Sequence, residues 1–374
     1  MKAKMACVNT FKFISGFALA VSVGIGGFNL NIYADSTQEQ VEEVATESSI
    51  TSLTVDEALE ISIQHNTDIL NSEADYPYTQ QNYEDANDNL ALEPDNYYSL
   101  KVQIAELKND LDNYDADIQK TKDVLKYDIV KLFSDIANTQ QSLDTEEKSL
   151  AVAKKELDIS ELKYQKGIIS KSEYDEQNTS YVKNDNSLKN KKIELDNLFI
   201  DLNKLIGLDL KDTYSIELEL DYDKIGEVDL DSKRQEDLEN SIDLTKQKQN
   251  LDVSKYEYST YNEYTSYSTK LSKENDIESK QRDIADTEID YTNSLNNLYR
   301  DIINKETEIE KYNEQLEYKN KELSVIELKY SLGKATQLEI DKKNIEIYEL
   351  EDTIKKAKDE HQLLIMKYEN VNLR

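Results

Sequence analysis

The chain has 374 residues, room for two or three globular domains, yet holds only eight glycines and two prolines among 33% charged residues. That is too little turn chemistry for a string of compact domains and suits a few very long helices. Seventy-seven acidic against 45 basic residues give a formal net charge of −32, which excludes nucleic acid as a partner, because phosphates need Lys and Arg to displace counterions; the acidic residues read as solvated helix faces.

Residues 1–34 read as a signal peptide: Lys2, Lys4 and Lys12 precede an apolar stretch from Phe13 to Phe28, and Ile32, Tyr33 and Ala34 resemble a cleavage site. The only cysteine, Cys7, precedes that stretch, so the mature chain is expected to carry no disulfide and no thiol nucleophile. Residues 35–51 read as a disordered acidic leader, and no later segment has the ~20 apolar residues of a membrane helix.

The first helix begins at Leu53-Thr54-Val55-Asp56-Glu57, with Thr54 as N-cap and Glu57 three residues on, as in a capping box. Heptad strings follow. Ile104, Leu111, Ile118, Leu125 and Leu132 share one register; Ile129, Ile136, Leu143, Leu150, Leu157 and Tyr164 share a second. A seven-residue repeat means left-handed supercoiling of packed helices, and a helix from Lys101 to Lys166 would measure about 100 Å at its rise of ~1.5 Å per residue. Companion positions such as Thr139, Ala153 and Ser160 are small or polar, so the apolar stripe is thin and each helix needs neighbours on two sides. Gly167 ends this arm as an αL C-cap, and Ser170 is a natural N-cap for a returning helix carrying Tyr174, Tyr181, Leu188, Leu195 and Leu202. After Gly207, the stretch Tyr214–Leu220 alternates at period two and reads as one short strand in a linker, 208–230.

The rest is a second copy. Glu161-Leu162-Lys163-Tyr164-Gln165-Lys166-Gly167 recurs as Glu327-Leu328-Lys329-Tyr330-Ser331-Leu332-Gly333, 166 positions later. The second heptad string recurs as Leu295, Ile302, Ile309, Leu316, Leu323 and Tyr330, and the returning helix as Ile340, Ile347, Ile354, His361 and Tyr368, with Thr336 as N-cap. The openings pair as Glu57 with Glu236 and Ser62 with Ser241, an offset of 179 that places 13 extra residues between opening helix and arm in the first copy. The expected organisation is all-α: tandem coiled-coil helical hairpins at 52–207 and 231–374, turning at Gly167 and Gly333.

The turn reads Tyr164, Gly167, Ser170, Glu173, Tyr174 in one half and Tyr330, Gly333, Thr336, Glu339, Ile340 in the other. With the opening Leu53–Leu59 and the mid-chain Leu202, Leu205, Ile206, Gly207, it resembles the TolC-type outer-membrane efflux family over about residues 52–370. The resemblance implies a homotrimer closing into a hollow helical conduit beside an export pump and a periplasmic adaptor. It also implies an adaptor-docking role for the tips, here Lys166, Gly167, Ile168, Ile169, Ser170 and Leu332, Gly333, Lys334, Ala335, Thr336. The family's inner-end constriction positions fall on Glu339 and on Lys342, a basic residue where the family has an acidic one.

Family members carry two membrane strands per half before each long arm, and a membrane strand needs about 9–11 residues of alternating character. Residues 75–99 and 254–275 show no such alternation; they are polar and rich in tyrosine. The membrane strands are expected to be missing, as in a version exported to a cell wall or secreted rather than set in an outer membrane. The tyrosines there read as packing residues or as a platform for cell-wall glycan, since rings stack on sugars while hydroxyls hydrogen-bond. His65 and His361 are the only histidines, each without a second ligand nearby in sequence, and no phosphate loop or nucleophile motif is present. No enzyme activity, cofactor or metal is expected. The rival reading is a secreted structural spacer or cell-wall interaction protein that conducts nothing.

Overall fold

The computed structural model describes residues 51–90, 92 and 96–374; the expected signal peptide, nearly all of the leader, Cys7 and Pro94 lie outside the described residues. Thr54 both ends a strand, β1 (Ser52–Thr54), and caps α1 (Val55–His65): its Oγ1 accepts from Glu57 N–H while the Glu57 carboxylate accepts from Thr54 N–H. The first half continues through α2 (Thr67–Leu90), the 69-residue α3 (Tyr97–Gln165) and α4 (Lys171–Ile206). After β2 (Ser215–Glu217) come α5 (Leu230–Asn240), α6 (Ile242–Ser259), the 65-residue α7 (Tyr267–Ser331) and α8 (Gln337–Glu369), closed by a 3-10 turn at Val371–Leu373. The fold is all-α, with the two hairpins that the heptads and glycines imply.

Every residue of the five heptad strings is buried or half-buried except Tyr164 and Tyr330, at the hairpin ends. The small companions Thr139, Ala153 and Ser160 are buried too, which lets neighbouring helices close on a narrow stripe. Toward the hairpin ends the helices lie in the order α4, α3, α8, α7; toward the other end the order is α2, α3, α6, α7. Thus α3 and α7 run the length of the molecule, and the second half repeats the first beside it. An apolar cluster lies within the first half, with Ile129, Phe133 and Ile136 of α3 against Phe199, Leu202 and Ile206 of α4 and Ala58 of α1.

Three features depart from the sequence expectations. The strand at 215–217 has a partner: it pairs in parallel with β1, Leu53 opposite Ile216, residues read only as a helix start. The openings align at an offset of 175, not 179. The N-caps Thr54 and Asp229, the shared cap residues Asn66 and Ser241, and the buried Ile69 and Leu244 are all spaced so. One helical turn separates the two registers, so Glu and Ser matches alone could not tell them apart; the excess of the first copy falls to nine residues. And the tyrosine-rich stretch after α1, to which the sequence assigns no element, is largely helix: α2 accommodates Pro77 in its interior, and β1 and β2 are the only strands among the described residues. The lack of membrane strands expected above agrees with this.

Gly207 closes α4 with φ of 81°, and a Cβ there would stand 2.6 Å from Cγ of His65. Gly167, at φ of 68°, faces open space. Alanine at either site incurs about 1–2 kcal/mol of left-handed strain, but only Gly207→Ala adds a collision with α1. Thermal unfolding is therefore expected to show Gly207→Ala as clearly more destabilising than Gly167→Ala, with His65→Ala recovering part of the difference in a double-mutant cycle.

Candidate functional site

Both arms end in the same device. Gly167 N–H donates to Tyr164 O at 2.8 Å and Ile168 N–H to Lys163 O at 2.8 Å; Gly333 and Lys334 repeat these bonds to Tyr330 and Lys329 at 2.9 and 2.7 Å. These paired 5→2 and 6→1 bonds form a Schellman motif, which satisfies the last carbonyls of each helix and requires the left-handed residue that only glycine supplies cheaply. Three residues later Ser170 and Thr336 start the returning helices. Each hydroxyl accepts from the N–H of Glu173 or Glu339, and each carboxylate accepts from the cap N–H, at 2.7 and 2.6 Å. These bonds hold the Glu173 and Glu339 carboxyls below the usual carboxylate range, with the backbone bond as the larger cause.

The two turns lie at one end of the molecule and side by side. Lys155 Nζ reaches Asp341 at 2.8 Å and Lys342 pairs with Glu156, placing the first turns of α8 against the last turns of α3. Between the turns runs a cleft of about 360 Å³ lined by Ile159, Ser160, Lys163, Ile169, Glu173 and Leu338 among others. The ten tip residues from sequence all fall here. Ile169 and Ala335, one repeat apart, are half-buried and anchor the loops, while the other eight are exposed. Leu162, Ile168, Leu328 and Leu332 each expose more than half of their surface, so the tips present an aliphatic rim that water does not favour. Tyr164 stacks on Tyr174 at 5.5 Å across the first hairpin.

Glu339 is placed at this end, but its carboxylate is engaged in the cap, and Lys342 is engaged by Glu156. Asp341, one position off that face, accepts from Gln337 and Lys155, which keeps its carboxyl low.

Sequence reading missed the polar seam between the halves. Asp359 of α8, buried, accepts from Ser134 at 3.1 Å and Asn138 at 2.9 Å on α3, and Lys355 bridges Asn138 and Asp359. Gln141 donates to Asp352 at 2.6 Å one turn farther toward the tips. Beside this seam a cleft of about 440 Å³ is lined by Thr139, Thr145, Glu146, Lys191 and Glu349 among others. Burial pushes the Glu349 and Asp135 carboxyls up. His361 is fully buried; its Nε2 lies 3.2 Å from Glu306 Oε1, which also accepts from Ile225 N–H at 2.7 Å. The cluster fastens the linker onto α7 and α8. Among the described residues no group of three or more His, Cys, Asp or Glu could hold a metal.

No protein-family profile matches the sequence, and no curated protein matches it. Solved structures do. The outer membrane protein VceC from Vibrio cholerae superposes with a TM-score of 0.64 at 10% identity, covering 84% of this chain and 95% of that one. The outer-membrane channel OprN gives 0.66 at 11% identity over 85% and 89%, and the Campylobacter jejuni CmeC outer membrane channel 0.60 at 10% over 92% and 94%. The fold is therefore that of TolC-type channels, as the turn motifs imply, at identities that carry the architecture alone.

The tips' caps set a pH dependence. A carboxyl whose folded pKa is depressed contributes stability that is present above its unfolded value, near 4.5 for glutamate, and is lost as pH falls below that. Protection of the amides in the first turns of α4 and α8, taken relative to the intrinsic exchange rate at each pH, is expected to fall as pH drops through that region. Glu173→Ala and Glu339→Ala should each remove the acid-sensitive component from their own helix while leaving the other unchanged.

Proposed function

We propose that the chain is the protomer of a TolC-like export conduit: copies stand side by side in a closed ring of helices, the tips meet an adaptor, and an export pump drives cargo through. The observation that carries this reading is an imbalance between equivalent helices. α3 has neighbours on both sides and buries 12 residues, whereas α7, nearly as long, buries five. In the tip half its outer side, with Tyr318 and Val325 exposed, has nothing packed on it, and the other edge of the row, α4, exposes Val182, Ile193 and Ile200. What α7 lacks is what α3 receives from α8. A second copy supplies it in the form of α4, the repeat-equivalent of α8, and a head-to-tail contact of this kind closes into a ring when the rotation permits.

The internal repeat gives the register of that contact. Lys155 meets Asp341 between α3 and α8; moved one repeat of 166 positions, the pair becomes Lys321 on α7 and Asp175 on α4, of opposite charge and both exposed. Gln141 with Asp352 becomes Thr307 with Asn186, again able to hydrogen-bond. The resemblance to TolC-type proteins implies three copies per ring, and the aliphatic rim of the tips suits a helical protein partner. The place of work that follows is the cell envelope. No described helix is long and apolar enough to cross a membrane, and in this reading the conduit stands without a barrel of its own.

The test is a double variant, Lys321→Cys with Asp175→Cys, in the chain lacking Cys7. Oxidation is expected to give a ladder ending at three cross-linked copies, the single variants to give none, and sedimentation equilibrium of the parent to report a trimer. A monomer that yields no ladder at any concentration would sink the conduit and leave a structural spacer.

A further inference from the structure

The end of the molecule opposite the tips has a different surface chemistry. Residues 254–270 contain six serines and threonines after Ser254, five tyrosines and no aliphatic side chain. The structure brings this segment to the start of α3. Lys120 contacts Asp243, Lys246 contacts Asp117, and Asn113 donates to Gln249, so α3 and α6 run antiparallel. Carried to the helix ends, that register sets the first turns of α3, with Tyr97 and Tyr98, beside the loop joining α6 and α7. Tyr98, Tyr264 and Tyr267 expose 56%, 87% and 80% of their surface.

The loop that carries two of these rings is built rather than loose. Asn262 Oδ1 accepts from Tyr264 N–H at 2.9 Å, Thr265 Oγ1 accepts from Asn262 N–H at 3.1 Å, and Ser266 caps α7 by accepting from Thr269 N–H at 3.1 Å. Beneath it Tyr261 donates to Glu257 at 2.9 Å and Tyr258 to Glu274, while Lys273 bridges Glu257 and Asp276. A loop whose backbone is held this way has less freedom to lose when its rings bind a partner.

From these observations we infer that the α3 start and the α6–α7 loop form a binding surface for an uncharged polysaccharide. The inference is independent of ring formation. A protein-docking patch would bring aliphatic side chains into its centre, as the tips do with Leu162, Ile168, Leu328 and Leu332; the segment 254–270 brings none, and the exposed Leu92 and Leu271 lie outside it. A bilayer surface would likewise need aliphatic anchors. Glu257, Glu263, Glu274 and Asp276 share the segment with Lys255, Lys270 and Lys273, of which Lys273 is already held by Glu257 and Asp276, so the surface offers no cationic cluster for phosphate- or uronate-bearing polymers. What remains is a partner with C–H faces to stack on tyrosine and with hydroxyl and amide groups to meet Ser, Thr, Asn and carboxylate oxygens.

The experiment is co-sedimentation of the purified full chain with insoluble chitin, beside zwitterionic phosphatidylcholine vesicles. Saturable binding to chitin is expected, lowered about tenfold or more in the triple variant Tyr98→Ala, Tyr264→Ala, Tyr267→Ala, with helicity unchanged in circular dichroism. Tyr318→Ala, an exposed ring far along α7, should bind as the parent does. Tyr→Phe at the same three positions should retain most of the binding, because the ring face is kept. Absence of chitin binding, a triple variant that binds like the parent, or ring-dependent binding to the vesicles in its place would each overturn the inference. The cysteine ladder at Lys321 and Asp175 reads out separately, so failure of one proposal leaves the other standing.

Discussion

The narrow apolar stripe of each long helix is the constraint from which the architecture follows. Burying a stripe of Ile129, Ile136 and Leu157 with Thr139, Ala153 and Ser160 between them yields too little for a free hairpin, since helical stability in proteins comes chiefly from packing. Each helix therefore takes neighbours on two sides, and a row of helices results rather than a solid bundle. A row has two edges. α3, inside it, is satisfied; α7 and α4, at its margins, keep exposed Ile289, Val325, Val182 and Ile193. The same thinness that builds the row leaves it open for another copy.

The contacts within a half and those between halves differ in kind. Inside the first half, Phe133, Phe199, Leu202 and Ile206 make a dry core. Between α3 and α8 the contacts are Asp359 with Ser134, Asn138 and Lys355, then Gln141 with Asp352, then Lys155 with Asp341. Hydrogen-bonded pairs fix register more sharply than apolar contact, because a slip leaves polar groups unpaired at a cost of about 1–3 kcal/mol each. This seam sets one half against the other at a definite height, and that height places both tips at one level.

The two ends are separated in chemistry as well as in space. The tip end is short turns, glycine and exposed leucine and isoleucine; the far end is tyrosine, serine, threonine and asparagine on an ordered loop. The two proposals assign these unlike ends to unlike partners, a protein at the tips and a polymer of sugars at the far end.

Much of this was legible from the residues. The duplication, the heptads, Gly167 and Gly333 with their caps, and the absence of alternation in 75–99 follow from local rules: helix periodicity, αL glycine and capping act over a few residues, so a linear reading reaches them. The pairing of β1 with β2, the one-turn register of the openings, the Asp359 network, the contact of Gly207 with His65 and the antiparallel register of α3 with α6 were not legible. Each joins positions between 123 and 225 residues apart or depends on one helical turn of phase, and short polar side chains carry no mark of their partner. By itself the sequence determined what the pieces are and where they turn. Only packing in three dimensions decided which faces were left over, because exposure is a property of what lies alongside a helix and not of the helix itself.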